Sequence, residues 1–294
     1  MGIHHDAGTQ ADCGAGARLL WPDVLRGLTV VSMVLFHGMW DAVFLFGLHA
    51  PWYTALPGYL WQQSICWTFI LLSGFCFRLG SHPVRRGLQV SALGLLVTAV
   101  TVFFMPEDRV VFGVLTCIGA CMLLTAGMEK AAGQGRAAET DAGKVAERAA
   151  GENSGLRRSA AGLAVSALLF FLTRNINGGW LGFERFLIAP LPAGLYRNLL
   201  TAFFGFPAPG FYSTDYFSLI PWWFLYLCGY FLYGIWRERK PGFPRKKDSR
   251  QEAVPRLLRI FRWIGCHALL IYALHQPALM LVLTLAFRLH AGMQ

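Results

Sequence analysis

The stretch Asp23-Val-Leu-Arg-Gly-Leu-Thr-Val-Val-Ser-Met-Val-Leu-Phe-His-Gly-Met-Trp-Asp41 decides how the rest of the chain is read. From Val24 to about Phe46 it is long and apolar enough to cross a bilayer as one helix. It nevertheless carries Arg26, His37 and Asp41, and ionisable groups inside a span are costly enough to mark function by default. Arg26 and His37 are eleven residues apart, which returns them to nearly the same helix face about 16 Å apart along the axis. Asp41 lies one turn beyond His37, within reach of its ring. The stripe Arg26, Val30, Met33, His37, Asp41 is therefore expected to look inward. A guanidinium at the rim can hold phosphate, and an imidazole deeper in the span can act as a base whose tautomer a carboxylate fixes. The same residues also fit an arginine that snorkels to headgroups and a His–Asp pair that only holds helices together.

Working outward, the 294 residues are 55% hydrophobic and only 14% charged, which fits a polytopic membrane protein and excludes an ordinary soluble domain. Seven apolar runs have the length of spans or nearly so: Val24–Phe46, Leu56–Phe77, Leu88–Phe104, Val110–Met128, the short Ala160–Thr173, Phe217–Trp236 and His267–Phe287. The expected class is an all-α bundle of about seven transmembrane helices in residues 21–290, preceded by a polar tail, 1–20, with no apolar signal region. Residues 129–158, rich in Ala, Gly, Glu, Lys and Arg, read as a solvated linker with some helix. The fifth span can extend into Arg174–Asn177. Residues 174–216 are dense in Gly, Pro and aromatics, and Leu195–Phe206 within them is too short to cross, so it is expected to lie at the interface or re-enter.

Lys and Arg give the orientation. With the N-terminus cytoplasmic, 20 of the 26 basic residues fall in inner segments, so N-in and C-out is expected, with 129–158 inside and 174–216 outside. The net charge of +10 is then topological and no nucleic-acid partner is called for. The seven cysteines mostly sit in apolar runs, where a thiol behaves as a small hydrophobe. Cys117 and Cys121 share a helix face without further ligands nearby, so no metal site is expected.

Three further constellations carry polar chemistry. The last span reads Gly265-Cys-His-Ala-Leu-Leu-Ile-Tyr-Ala-Leu-His-Gln-Pro-Ala278, where Pro277 should disturb the helix beside His275 and Gln276 and leave polar groups available at a depth similar to His37. A plain proline kink whose carbonyls His275 satisfies is the alternative. Span two contains Phe69-Ile-Leu-Leu-Ser-Gly-Phe75, in which Ser73 and Gly74 permit close helix approach, and it ends in Arg78, which with Arg26 could gather phosphates. In 174–216 and just beyond, Asn177, Asp215, Tyr216 and Trp222 mix amide, carboxylate and flat aromatic faces, a set that suits a sugar, although an aromatic belt explains part of it.

These same residues carry a resemblance. Arg26 through His37 resembles the R-x10-H signature of the acyltransferase-3 membrane family, and Phe69–Phe75 resembles its F-x-x-x-S-G-F helix. Leu25-Arg-Gly-Leu28, Val111-Phe-Gly-Val-Leu-Thr-Cys-Ile-Gly119, Asp215-Tyr-Phe-Ser-Leu-Ile-Pro-Trp222 and Ile271-Tyr-Ala-Leu-His-Gln-Pro277 more closely resemble bacterial relatives of the heparan-alpha-glucosaminide N-acetyltransferase catalytic domain. The resemblance covers nearly the whole chain apart from the tail and the linker. It implies transfer of an acetyl or other acyl group from cytoplasmic acyl-CoA, usually acetyl-CoA, to a hydroxyl or amine of an extracytoplasmic sugar or glycan, in a bacterial cell membrane. His37 would be the base, with Asp41 orienting it. Arg26, Arg78, Ser73, His275 and Gln276 would bind the donor, and Asn177, Asp215, Tyr216 and Trp222 the acceptor. The animal lysosomal members have Asn where His37 stands and use a later histidine. The expected tunnel is bounded by spans one, two and seven. The rival readings are a proton-coupled transporter or lipid-linked-sugar flippase, in which the same His and Arg form a proton relay or anion site, and a structural or sensor module. No inverted repeat of the His–Asp span supports the transporter reading, and the sequence leaves acceptor, chain length and oligomeric state open.

Overall fold

The computed structural model describes residues 19–138, 153–240 and 255–291. In chain order its elements are α1 (Leu20–Phe44), α2 (Leu56–Phe75, continued by a 3-10 turn to Leu79), α3 (Pro83–Phe104), α4 (Val114–Ala138), α5 (Asn153–Thr173), strands β1 (Trp180–Phe183) and β2 (Phe186–Pro190), α6 (Leu199–Phe204), α7 (Leu219–Arg239), α8 (Arg256–Cys266) and α9 (Ala268–Ala291). Among the described residues, seven helices are long and apolar enough to cross a membrane: α1, α2 with its turn, α3, α4, α5, α7 and α9. The protein is an all-α, multi-pass membrane bundle.

Each expected apolar run is found, and most helices extend beyond it by about a turn or more, because arginines and small polar residues continue a helix past its apolar stretch. The short fifth run shows this best. It begins at Asn153, not Ala160, and a 3-10 turn at Ile176–Gly178 follows it. The expected linker contributes its first residues to α4 and its last to α5, while 139–152 and nearly all of the polar tail lie outside the described residues. Two elements were not anticipated. α8 escapes a search for apolar runs because its arginines alternate with Leu, Ile, Phe and Trp at helical spacing, a periodicity that marks an amphipathic helix. The antiparallel hairpin β1–β2 sits inside 174–216, the segment dense in Gly, Pro and aromatics, and is joined by the two residues Glu184 and Arg185. Leu195–Phe206 holds only the six-residue α6, begun by a capping box between Asn198 and Thr201, so it is too short to cross, as expected.

The chain divides into two compact units, one of residues 50–241 and one of 1–49 with 242–294. In the first, α7 is the central helix, packing on α2, α4 and α5, with α3 laid against α4. Its core joins Ile70, Phe77, Cys117, Cys121, Phe170, Trp222, Tyr226 and Tyr230. Gly74 and Gly229 bring α2 and α7 almost into backbone contact: a Cβ on Gly74 would stand 1.9 Å from the Tyr226 carbonyl oxygen, and one on Gly229 1.9 Å from that of Leu71. The close approach read from Ser73-Gly74 is thus made, with Gly229 as its partner.

The second unit is α1, α8 and α9. α1 meets α8 through another reciprocal glycine pair: a Cβ on Gly27 would stand 1.9 Å from the Phe261 carbonyl oxygen, and one on Gly265 1.9 Å from that of Asp23. Further along, Gly38 faces Leu279 and Phe46 stacks on Phe287 with ring centroids 4.4 Å apart. Residue numbers rise together on both sides of this seam, so α1 and α9 run parallel. α9 continues as helix through Pro277.

Candidate active site

On α1 the expected stripe faces protein. Val30, Met33 and Asp41 are buried, whereas Leu25, Leu28 and Leu35 on the opposite side are exposed. At its start Arg26 Nη1 donates to Asp23 Oδ1 at 3.0 Å, and the carboxylate is itself mostly buried. Asp23 was not singled out from the sequence, although its position three residues before the arginine is an ion-pair spacing.

Deeper in the span the polar groups of α1 meet those of α9. His37 Nδ1 lies 3.1 Å from His275 Nε2, with the ring centroids 4.8 Å apart. One turn on, Gln276 Nε2 donates to Asp41 Oδ1 at 2.7 Å. The sequence paired His37 with Asp41 along one helix. The structure gives each of them a partner across the seam, two consecutive residues of α9. A histidine within each of two spans was the signal, since buried polar groups in a membrane find one another. His275 Nδ1 lies 2.6 Å from the Tyr272 carbonyl oxygen, so both of its ring nitrogens are engaged. His49, the next histidine after His37, is exposed in the loop that follows α1.

The remaining candidates belong to the other unit and hold its elements together. Arg78 Nε donates to Glu129 Oε1 at 2.8 Å, Tyr230 OH donates to the same oxygen at 2.7 Å, and the guanidinium lies 4.8 Å from the Tyr230 ring centroid, so one clip ties α2, α4 and α7. Ser73 is partly buried beside the Gly74 contact. Asp215 Oδ2 accepts from the Val114 N–H at 3.3 Å, at the first residue of α4. Asn177 Nδ2 donates to the Gly205 carbonyl and to Ser218 Oγ, both at 3.0 Å, and lies 3.4 Å from Tyr216 OH. Tyr216 OH donates to the Ala202 carbonyl, and burial pushes its phenol up to about 12, so it stays protonated and a donor. Trp222 is buried in the core and receives the Arg174 guanidinium 5.1 Å from its ring centroid. Arg174 in turn donates to Gln63 Oε1 at 3.1 Å and pairs with Glu184 at 3.4 Å. Asn177, Tyr216 and Ser218 thus form one knot, while Asp215 and Trp222 each serve a different neighbour.

A multi-pass helical membrane protein with a polar, hydrogen-bonded seam between two of its spans is the class that fold and site define. Within it, the chain belongs to the heparan-alpha-glucosaminide N-acetyltransferase catalytic family, whose model matches residues 18–135 and 160–277. The matched residues take in every candidate from Arg26 to Gln276 and leave out most of the linker. No curated protein and no solved structure matches the chain. The protein is therefore a membrane protein of an acetyltransferase family.

Proposed function

We propose that the protein moves an acetyl group from cytoplasmic acetyl-CoA to a hydroxyl or amine of a sugar or glycan on the opposite side of the bilayer, with His37 as general base. The observation that carries this reading is an intramembrane imidazole on the inward stripe of α1, about 16 Å along the helix from an arginine, in a chain of an acetyltransferase family. That interval suits an extended pantetheine arm with its phosphates at Arg26 and its thioester near His37. Asp23 holds the guanidinium through one nitrogen, and arginine has further donors with which to meet phosphate.

In the reaction His37 takes the proton from the acceptor's O–H or N–H as its oxygen or nitrogen attacks the thioester carbonyl carbon. The tetrahedral intermediate collapses, the C–S bond breaks, and the imidazolium returns the proton to the departing thiolate. Donor and acceptor then approach from opposite sides, as expected for an N-in chain whose long aromatic segment lies outside.

The test is acetyl transfer from labelled acetyl-CoA to glucosamine and to glycan acceptors by the protein in proteoliposomes. His37→Ala should abolish transfer while CoA still raises the thermal midpoint of the variant. Full activity in His37→Ala with loss in His49→Ala would move the base to His49. Uptake of the acceptor without CoA release would replace the enzymatic reading by transport.

A further inference from the structure

We propose that His275 is the positioning residue of the site: it fixes the tautomer of His37, so that His37 Nε2 is the nitrogen that takes the proton. The inference rests on the acetyl-transfer reading above for its role, and on hydrogen-bond geometry for its content.

A carbonyl oxygen only accepts. The Tyr272 carbonyl, 2.6 Å from His275 Nδ1, therefore requires a proton on that nitrogen. A neutral imidazole carries one N–H, which leaves His275 Nε2 with a lone pair. That lone pair is 3.1 Å from His37 Nδ1, so His37 Nδ1 is the donor of the pair and holds the ring's proton. His37 Nε2 is then unprotonated. In water a neutral histidine side chain favours the opposite tautomer, with the proton on Nε2, and such a ring would offer an N–H where the reaction needs a base. The relay from the Tyr272 carbonyl through His275 inverts this preference.

The arrangement does for His37 what a buried carboxylate does for the histidine of a hydrolytic triad: it orients the ring, selects the tautomer and faces the N–H of the imidazolium once it forms. Here the orienting group is a second imidazole. Unlike a carboxylate, it adds no charge to the middle of the bilayer, where a charge is costly. The bond from Gln276 to Asp41, one residue further along α9, holds the two helices in register where the rings meet, tilted by 43° with centroids 4.8 Å apart. With both of its ring nitrogens engaged in this way, His275 acts through His37 and not by holding the donor.

The experiment uses the full-length protein in nanodiscs with 15N-labelled histidine, the His37 ring being assigned by the signals lost in His37→Gln. In the wild type at a pH where the ring is neutral, the shifts should show a protonated Nδ1 and a bare Nε2. His275→Met, of similar volume but without the acceptor, should move the proton to Nε2 and lower kcat at least about tenfold, with KM for acetyl-CoA within about twofold. His275→Gln places an amide oxygen where the imidazole nitrogen stood. It should keep the wild-type tautomer and recover most of the turnover that the methionine variant loses. A wild-type ring protonated at Nε2, or a methionine variant with unchanged tautomer and turnover, overturns the proposal. If the methionine variant fails to fold, the wild-type spectrum and the glutamine variant still decide. Absence of any acetyl transfer by the wild type overturns the functional reading alone, because the tautomer is read without turnover.

Discussion

The seam between α1 and α9 and the polar knots of the larger unit use similar residues for different ends. In the larger unit several polar side chains sit at helix ends and in loops, where they satisfy backbone groups: Asp215 at the start of α4, Asn177 on the Gly205 carbonyl, Tyr216 on that of Ala202. Each is saturated by its architecture. Along the seam, His37, Asp41, His275 and Gln276 meet side chain to side chain inside the spans, where helices already satisfy their own backbones. These side chains, meeting across helices, are the ones the proposed reaction uses.

That contrast can be broken by mutation. The largest effect is expected at the seam, where His37→Ala should cost about 10²- to 10⁴-fold in kcat, the range of a general base, with little change in thermal midpoint. Next, Gly27→Val or Gly265→Val should destabilise the protein by about 1–3 kcal/mol or more, since even a Cβ would stand 1.9 Å from the facing carbonyl oxygen. Thermal unfolding in detergent, followed by intrinsic fluorescence, reads this. In the larger unit, Asn177→Ala should cost about 1–3 kcal/mol by stranding partly buried partners, with kcat per folded molecule unchanged. An increase in KM for the acceptor without loss of stability would instead make Asn177 a substrate contact. Asp215→Ala should cost about 1 kcal/mol through the lost cap of α4, and Asp215→Asn far less, because an amide oxygen still caps. The smallest effect is expected at Arg78, whose pair with Glu129 is substantially exposed: Arg78→Met should lower stability by less than about 1 kcal/mol. A marked rise in its KM for acetyl-CoA would return Arg78 to donor binding.

The seven spans were legible in the sequence because a bilayer asks one crude thing of a helix, apolar length. The inward stripe of α1 was legible for a similar reason, since helical spacing fixes which residues share a face. Partnership across helices was not. Nothing along the chain places His275 opposite His37, and the nearest carboxylate, Asp41, looked like the natural partner until α9 supplied Gln276 for it. The glycine pairs show the same limit from the other side. Ser73-Gly74 announced a close approach, yet Gly229 as its counterpart and the Gly27–Gly265 crossing depend on where another helix lies. α8 was hidden because its arginines broke every apolar run, although its 3.6-residue rhythm was there to be counted.

The two imidazoles of the seam are 238 residues apart in the chain, one on α1 and the other on α9. During synthesis α1 must therefore wait in the bilayer with its histidine unmatched while the intervening spans are inserted. The pair closes only once α9 has been made, so a chain terminated before α9 leaves His37 without its partner.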